Sequence, residues 1–332
     1  MRAAYLERHG GPEVIQICQR PEPVCRNGEV IVCVKACALN HLDLWVRMGG
    51  NRPFPLPLVP GTDIAGIRQD TGEEVVVFPA TWRGETPTPG GTTALADDFA
   101  ILGAARDGGM AEFVAVPVRN LLPKPRQLSF VQAAAVPVVF VTAWHMLLAR
   151  ARLRPGEWAL INSAGSGVSV AAMQIARLAG ATVIATSSTA KKLGQARALG
   201  AEHVINYKTE DVAARVREIT GGHGADVVLD HVGAATWQAN MAALAKGGRL
   251  VICGTTGGAE VPLNLAPFYF QAQSVLGSTL GTPGELTRVL DLLAAGRLKV
   301  VIDRTFPLEK LADAHRYLES QQQFGKVVVE IA

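Results

Sequence analysis

The chain has 332 residues, 48% of them hydrophobic, and a formal charge of +3, which allows large cores, suggests two domains and excludes a disordered or fibrous class. Lysine and arginine are scattered rather than clustered, so no nucleic-acid partner is expected, while small anionic ligands stay open. Five cysteines without a C-x-x-C pair fit neither a disulfide framework nor a zinc knuckle, and are expected to be buried thiols.

From residue 1 to about 125 the pattern is β-rich. Apolar runs at 3–6, 14–19, 30–36, 64–67, 74–78 and 111–118 are punctuated by Gly and Pro. One helix is expected over 40–47 with Asn40 as its N-cap. Residues 80–109 carry no clear periodicity and read as a long surface loop. The apolar stretch 130–149 is interrupted by Gln132, Pro137, Thr142 and His145, so core helices joined at Pro137 are expected rather than a membrane span. The N-terminus lacks the apolar core of a signal peptide, and a cytoplasmic protein is expected.

After Pro125 helices and strands alternate. Strands at 158–162, 183–186, 204–207, 227–230, 250–253 and 275–278, separated by helical patterns, make a six-stranded, doubly wound parallel sheet. The tail reads helix (285–295), strand (300–306), helix (308–318), strand (326–331). The run from Trp158 to Ser188 is the most informative: strand, small-residue turn, helix, strand. Such a turn aims backbone N–H groups and a helix N-terminus at a phosphate, so a dinucleotide is expected. The turn is not a strict G-x-G-x-x-G, and the second strand ends in Thr186, Ser187 and Ser188, where NAD binders place an acid.

Separate blocks, Gly28 to Lys35, Asn40 to Asp43, Pro57 to Asp63, Ala133 to Pro137, Thr142 to His145, the turn, and Phe324 to Val328, together resemble the medium-chain dehydrogenase/reductase superfamily. Within it the chain looks like the quinone oxidoreductase and zinc-type alcohol dehydrogenase-like branch. The resemblance implies a GroES-like catalytic domain from both chain ends, 1–124 and 285–332, and a Rossmann NADP(H)-binding domain at 125–284.

The family's three catalytic zinc ligands fall on Asn40, on Thr62 and near Val138. Neutral amide and hydroxyl oxygens bind zinc poorly beside thiolate and imidazole, and valine cannot bind it. His41 is the tempting substitute, but a lone ligand is not a site. The four cysteines of the family's structural zinc lobe have no counterpart in 80–109. No zinc is therefore expected.

In the family's register the turn's three glycine positions correspond to Ala164, Ser166 and Ser169, with Gly167 and Val168 between the last two. Ser169 stands where glycine permits close helix-to-strand packing, so its hydroxyl must fit or bond locally. Ser187 replaces the acid that would repel a 2′-phosphate, which favours NADPH, with Lys192 and Lys191 as candidate cations. By resemblance, Tyr207 lies beside that phosphate and Thr142 near the nicotinamide ribose. Gly254, Gly277 and Ser278 then lie where backbone approaches the nicotinamide, and Lys326 reaches the pyrophosphate. His231, at the end of the fourth strand, reads as a cofactor-rim or core residue.

Without zinc, and with Leu42 at the family's relay hydroxyl, the expected chemistry is hydride transfer from NADPH to a quinone or an α,β-unsaturated carbonyl. Asn40, His41 and Thr62 are the candidate donors to the developing oxyanion. Asp43 is expected to orient the helix turn, and Trp45, Phe54, Trp82 and Phe140 are candidate walls for the acceptor. Two alternatives stay open: an alcohol dehydrogenase with an atypical zinc site around His41, and a non-catalytic NADPH-binding protein. The segment 273–280 is expected to be an apolar sheet edge, hence a homodimer.

Overall fold

A computed structural model describes residues 1–50, 54–84, 91, 93–96 and 98–331. The chain divides into two compact units, one drawn from residues 1–88, 92–141 and 282–332, the other from 142–281.

The first unit is built on a mixed sheet. Its order is Ile302–Pro307, Lys326–Glu330, Glu29–Ala38, Asp63–Arg68, Glu74–Val77 and Leu121–Pro123, with Phe113–Pro117 also paired to Glu29–Ala38. Only the pair from the chain's tail is parallel; the other pairs are antiparallel. Val32, Val34, Ile64, Val75, Val77, Val114 and Val116 fill its core against Leu311, Ala314 and Leu318 of the helix Leu311–Glu319. β-branched residues suit this half-buried pleated surface. A register shift between Val34 and Ala36 interrupts the pairing to Asp63–Arg68 and brings Ala36, Cys37 and Ala38 all into the interior.

The helix His41–Met48 follows directly, with Asn40 as N-cap. Asp43 in its first turn accepts from the Asn40 backbone N–H at 2.7 Å, satisfying a donor the helix cannot. Helix Phe130–Ala134, capped by Ser129 and Gln132, packs in the first unit against Glu29–Ala38 and Asp63–Arg68. Strand 14–19 of the sequence reading is shortened to Gln16–Gln19, because Pro12–Val14 forms a 3-10 turn.

Residues 80–109 differ from the long surface loop expected. Ala80–Thr81 pairs with Ala100–Ile101, and Trp82, Leu102 and Ala104 are buried. Apolar positions spaced by contact rather than by period escape a periodicity reading. The remainder of that reading, at 85–90, 92 and 97, lies outside the described residues. The cysteines also depart from expectation: Cys37 is buried, but Cys25 is exposed and Cys18, Cys33 and Cys253 are partly so.

The second unit is the doubly wound sheet. Six parallel strands run in the order His203–Asn206, Thr182–Ser187, Trp158–Ile161, Ala225–Asp230, Leu244–Ile252, Ser274–Gly277. Leu160, Ile184, Ile205, Val228 and Leu250 pack on Val216, Trp237 and Ala243 of the covering helices. Among the described residues, no helix is long and apolar enough to cross a membrane.

Gly61 shows how tightly the first unit holds the residues before Asp63. Its φ is +105°, and a Cβ there would sit 2.7 Å from Cys37 Sγ and 2.8 Å from the Met110 nitrogen. Gly61→Ala therefore combines strain with overpacking and should cost roughly 1–3 kcal/mol. Urea unfolding of the variant beside the natural chain measures this; an unchanged midpoint would contradict it.

Candidate active site

In the first unit, three adjacent strands bring one polar cluster together. Lys326 opens Lys326–Glu330, Asp63 opens Asp63–Arg68, and Asn40 follows the strand between them. The buried Lys326 ammonium donates to the Leu39 carbonyl at 2.8 Å, to Asn40 Oδ1 at 2.7 Å and to Asp63 Oδ2 at 2.8 Å. Its three hydrogens are thereby used. Asp63, fully buried, also accepts from Asn40 Nδ2 at 2.9 Å and from the Val138 backbone N–H at 2.8 Å.

This network fixes the Asn40 amide. Its oxygen faces an ammonium and its nitrogen a carboxylate; the flipped amide would set donor against donor and acceptor against acceptor. One Asn40 N–H remains outside the network. Thr62 is fully buried, and its hydroxyl has no hydrogen-bond partner among the described residues. Lys326, expected at a pyrophosphate, gives its hydrogens to Leu39, Asn40 and Asp63 in this structure. A lone basic residue in a motif carries no record of which acceptor its strand neighbours supply.

Asp43 lies beside this cluster and is fully buried. Burial pushes its carboxyl up to about 7, against the opposing pull of the Asn40 N–H and Lys326. Burial also pushes the Cys37 thiol well up, making it an inert packing residue. His41 is half-buried at the helix start. The aromatic residues proposed as acceptor walls divide: Phe140 and Trp82 are buried, Trp82 edge-on to Phe78, while Trp45 and Phe54 are half-buried.

These residues do not fit a zinc ion. Asn40 is engaged by an ammonium and a carboxylate, Thr62 offers a neutral hydroxyl, and Val138 offers only a backbone N–H. Among the described residues, no three His, Cys, Asp or Glu gather as a metal-holding group.

In the second unit the strand Trp158–Ile161 runs into the turn Asn162–Ser166 and the helix Gly167–Leu178. Ser163 has φ +50°, and the turn is closed by Ala164 N–H to Thr186 O at 2.8 Å and Ser166 N–H to Ser163 O at 2.9 Å. Ser166 is the N-cap but its side chain makes no cap bond, so the N-terminal amides at Gly167 and Val168 suit an anion. Ser166, Gly167 and Val168 are half-buried.

At the next strand end Ser187 is buried and its carbonyl accepts from the Tyr207 N–H at 3.2 Å. Tyr207 itself is exposed, and Lys192 lies in the first turn of Ala190–Ala198, capped by Thr189. Lys208, which the sequence reading missed, places its ammonium 6.0 Å from the centre of the Tyr207 ring; adjacency to that tyrosine was the available signal. The local carboxylate, Glu210, is bound to the Asn206 N–H and to Arg215. Thr142 is buried, while Gly254 and Ser278 are half-buried at the ends of their strands.

Lys326→Met leaves the Asp63 carboxylate buried and unpaired and should cost roughly 3–5 kcal/mol, partly recovered by adding Asp63→Asn; denaturant unfolding of single and double variants measures it, and a loss in the single variant no larger than in the double would contradict it. Asp43 binds its proton more tightly folded than unfolded. Its stabilising contribution is therefore full below its ordinary value near 4 and lost as pH rises through about 7. Relative to the natural chain, Asp43→Asn should gain stability steadily from pH 4 to 7; a pH-independent difference would contradict this.

Comparison with known proteins agrees with this architecture. Residues 26–126 match the alcohol dehydrogenase GroES-like domain and residues 167–295 the zinc-binding dehydrogenase family. A zinc-type alcohol dehydrogenase-like protein of Schizosaccharomyces pombe is 34% identical, covering 96% of this chain and 94% of its own. The human quinone oxidoreductase is 29% identical, covering 99% and 97%. A solved structure described as an NAD-dependent alcohol dehydrogenase superposes with a TM-score of 0.95 at 43% identity, over 100% of both chains. The chain thus belongs to the medium-chain dehydrogenase/reductase superfamily, in its quinone oxidoreductase and alcohol dehydrogenase-like branch, and is an oxidoreductase.

Proposed function

We propose that this chain is a zinc-independent, NADPH-dependent reductase acting on a quinone or an α,β-unsaturated carbonyl. The observation that carries the reading is the Lys326–Asn40–Asp63 network, which commits the position of a zinc ligand to a resident ammonium. A bound dihydronicotinamide supplies the hydride. The chain's own residues bind, orient and stabilise charge.

The free Asn40 N–H and the Thr62 hydroxyl are donors for the acceptor's oxygen as negative charge develops there, with His41 as the third candidate beside them. Lys326 on Asn40 Oδ1 polarises the amide and strengthens its remaining N–H as a donor. Because the network is already assembled, little reorganisation is needed during reaction. In the second unit, Ser166, Gly167 and Val168 serve the pyrophosphate. Ser187, Lys192 and Tyr207 serve the 2′-phosphate, joined by Lys208, while Thr142, Gly254 and Ser278 serve the nicotinamide half.

A homodimer is part of this reading. Ser274–Gly277 ends the sheet, with Val275 exposed, and the helix Leu265–Phe270 exposes Leu265, Tyr269 and Phe270. An unpaired apolar edge of this kind favours pairing with its symmetry mate.

A second reading, an NADH-linked alcohol dehydrogenase, is favoured by the 43% identical structure so described. Fluorescence titration should give NADPH binding at least about tenfold tighter than NADH. Chelator-treated protein should oxidise NADPH with a quinone or an enone at undiminished rate, and Asn40→Ala and Thr62→Ala should each lower turnover more than NADPH affinity. Tighter NADH binding with alcohol turnover abolished by chelation would establish the second reading instead; tight NADPH binding without turnover of any acceptor would leave a binding protein.

A further inference from the structure

From Trp158–Ile161 the chain winds outward to Thr182–Ser187 and His203–Asn206, then returns to the other side of its starting strand at Ala225–Asp230. The crevice at the carboxyl ends of Trp158–Ile161 and Ala225–Asp230 is therefore the sheet's switch point, where open α/β sheets take their ligands. Asn162 follows the first of these strands and His231 the second. Between them stands Ser169, the residue in place of the turn's last glycine.

Ser169 is fully buried. Its Oγ lies 2.6 Å from the Asn162 carbonyl oxygen and 3.1 Å from His231 Nε2. A hydroxyl has one hydrogen, and two oxygens at 2.6 Å are tolerable only with that hydrogen between them. The Ser169 hydroxyl thus donates to Asn162, and His231 Nε2–H donates to Ser169 Oγ. The neighbouring side chains are engaged elsewhere: the Asn162 amide donates to Asp230 and Asn240, and Asp230 also accepts from the Gly233 N–H and the Thr236 hydroxyl. Burial pushes the imidazole's pKa down, against the pull of Asp230 and of the His231 and Asn162 backbone, which favours the neutral ring; with its hydrogen on Nε2, Nδ1 then carries a lone pair. His231 is half-buried, whereas Ser169, Asn162, Asp230 and Asn240 are buried. Gly254 comes so near that a Cβ on it would stand 2.9 Å from the His231 carbonyl oxygen.

We propose that Ser169 and His231 form a dinucleotide-binding pair: Ser169 fixes the imidazole as its Nε2–H tautomer, and Nδ1 accepts a hydrogen bond from a ribose hydroxyl of the bound dinucleotide. The proposal rests on the reading of the second unit as a dinucleotide-binding unit. A neutral acceptor at this crevice calls for a hydroxyl donor; ionised phosphate oxygens have no hydrogen to give. The pair reads the ribose that NADH and NADPH share, and not the 2′-phosphate that separates them.

Titration of the full-length protein with NADPH, NADH and ADP-ribose tests this. His231→Ala should weaken all three by a common factor of about three to ten, with the thermal midpoint of the unliganded protein little changed. His231→Asn, which keeps an acceptor near the Nδ1 position, should stay within about twofold of the natural chain. Ser169→Ala, which only frees the ring, should give part of the His231→Ala loss. Unchanged affinities in His231→Ala would overturn the proposal. So would a loss confined to NADPH, which would place the ring at the 2′-phosphate, or a loss that spares ADP-ribose, which would place it at the nicotinamide. A natural chain that binds none of the three would overturn the underlying reading and the pair with it.

Discussion

The buried contact between Lys326 and Asp63 is the constraint around which the first unit is organised. The two residues are 263 positions apart in sequence, yet their strands flank Glu29–Ala38 in one sheet. The ammonium and carboxylate close over the end of that central strand and hold Asn40 between them. Neither charge would survive burial alone. Each is satisfied because the other is present and because Asn40, Leu39 and Val138 supply the remaining bonds. The chain's tail is thereby tied to its N-terminal strands, and the helix carrying Asp43 starts from a fixed point.

That geometry gives the family resemblance its chemical meaning. Where the family resemblance places zinc ligands, this chain has an amide oriented by an ammonium and a buried neutral hydroxyl. A divalent ion polarises an oxygen directly; an oriented amide with a cation behind it does so less strongly and without an exchangeable ligand. Under the proposed function this is sufficient, because a carbonyl or quinone acceptor is already electron-poor and demands less of such a site than alkoxide formation does. The second unit contributes by the same means, through buried polar groups that satisfy one another: Asn162 links Ser169, Thr186, Asp230 and Asn240 at the ends of neighbouring strands.

Much of the second unit was legible in the sequence because its signal is local. Six apolar runs, each bounded by helical pattern, allow few arrangements, and the observed strand order follows the doubly wound rule. Asn40 as N-cap was equally local. Lys326 was not. Its partner is set by the pairing of strands from opposite chain ends, and a single lysine in Phe324-Gly325-Lys326 reads the same whether it turns inward or outward. The buried residues of the segment 80–109 were hidden for the related reason that short paired strands leave no period. The Ser169–His231 contact lay between these cases: each residue stood out alone, as a departure from glycine and as a histidine at a strand end, but only folding shows that they touch.

The proposed zinc-independent chemistry requires that an ammonium, not a metal, occupy this polar cluster. Anomalous diffraction at the zinc absorption edge, from crystals grown with zinc present, tests it most directly. Lys326 Nζ should lie within hydrogen-bond distance of Asn40 Oδ1 and Asp63 Oδ2, with no anomalous peak between Asn40 and Thr62. A peak at that position, with Lys326 swung away from Asp63, would contradict it.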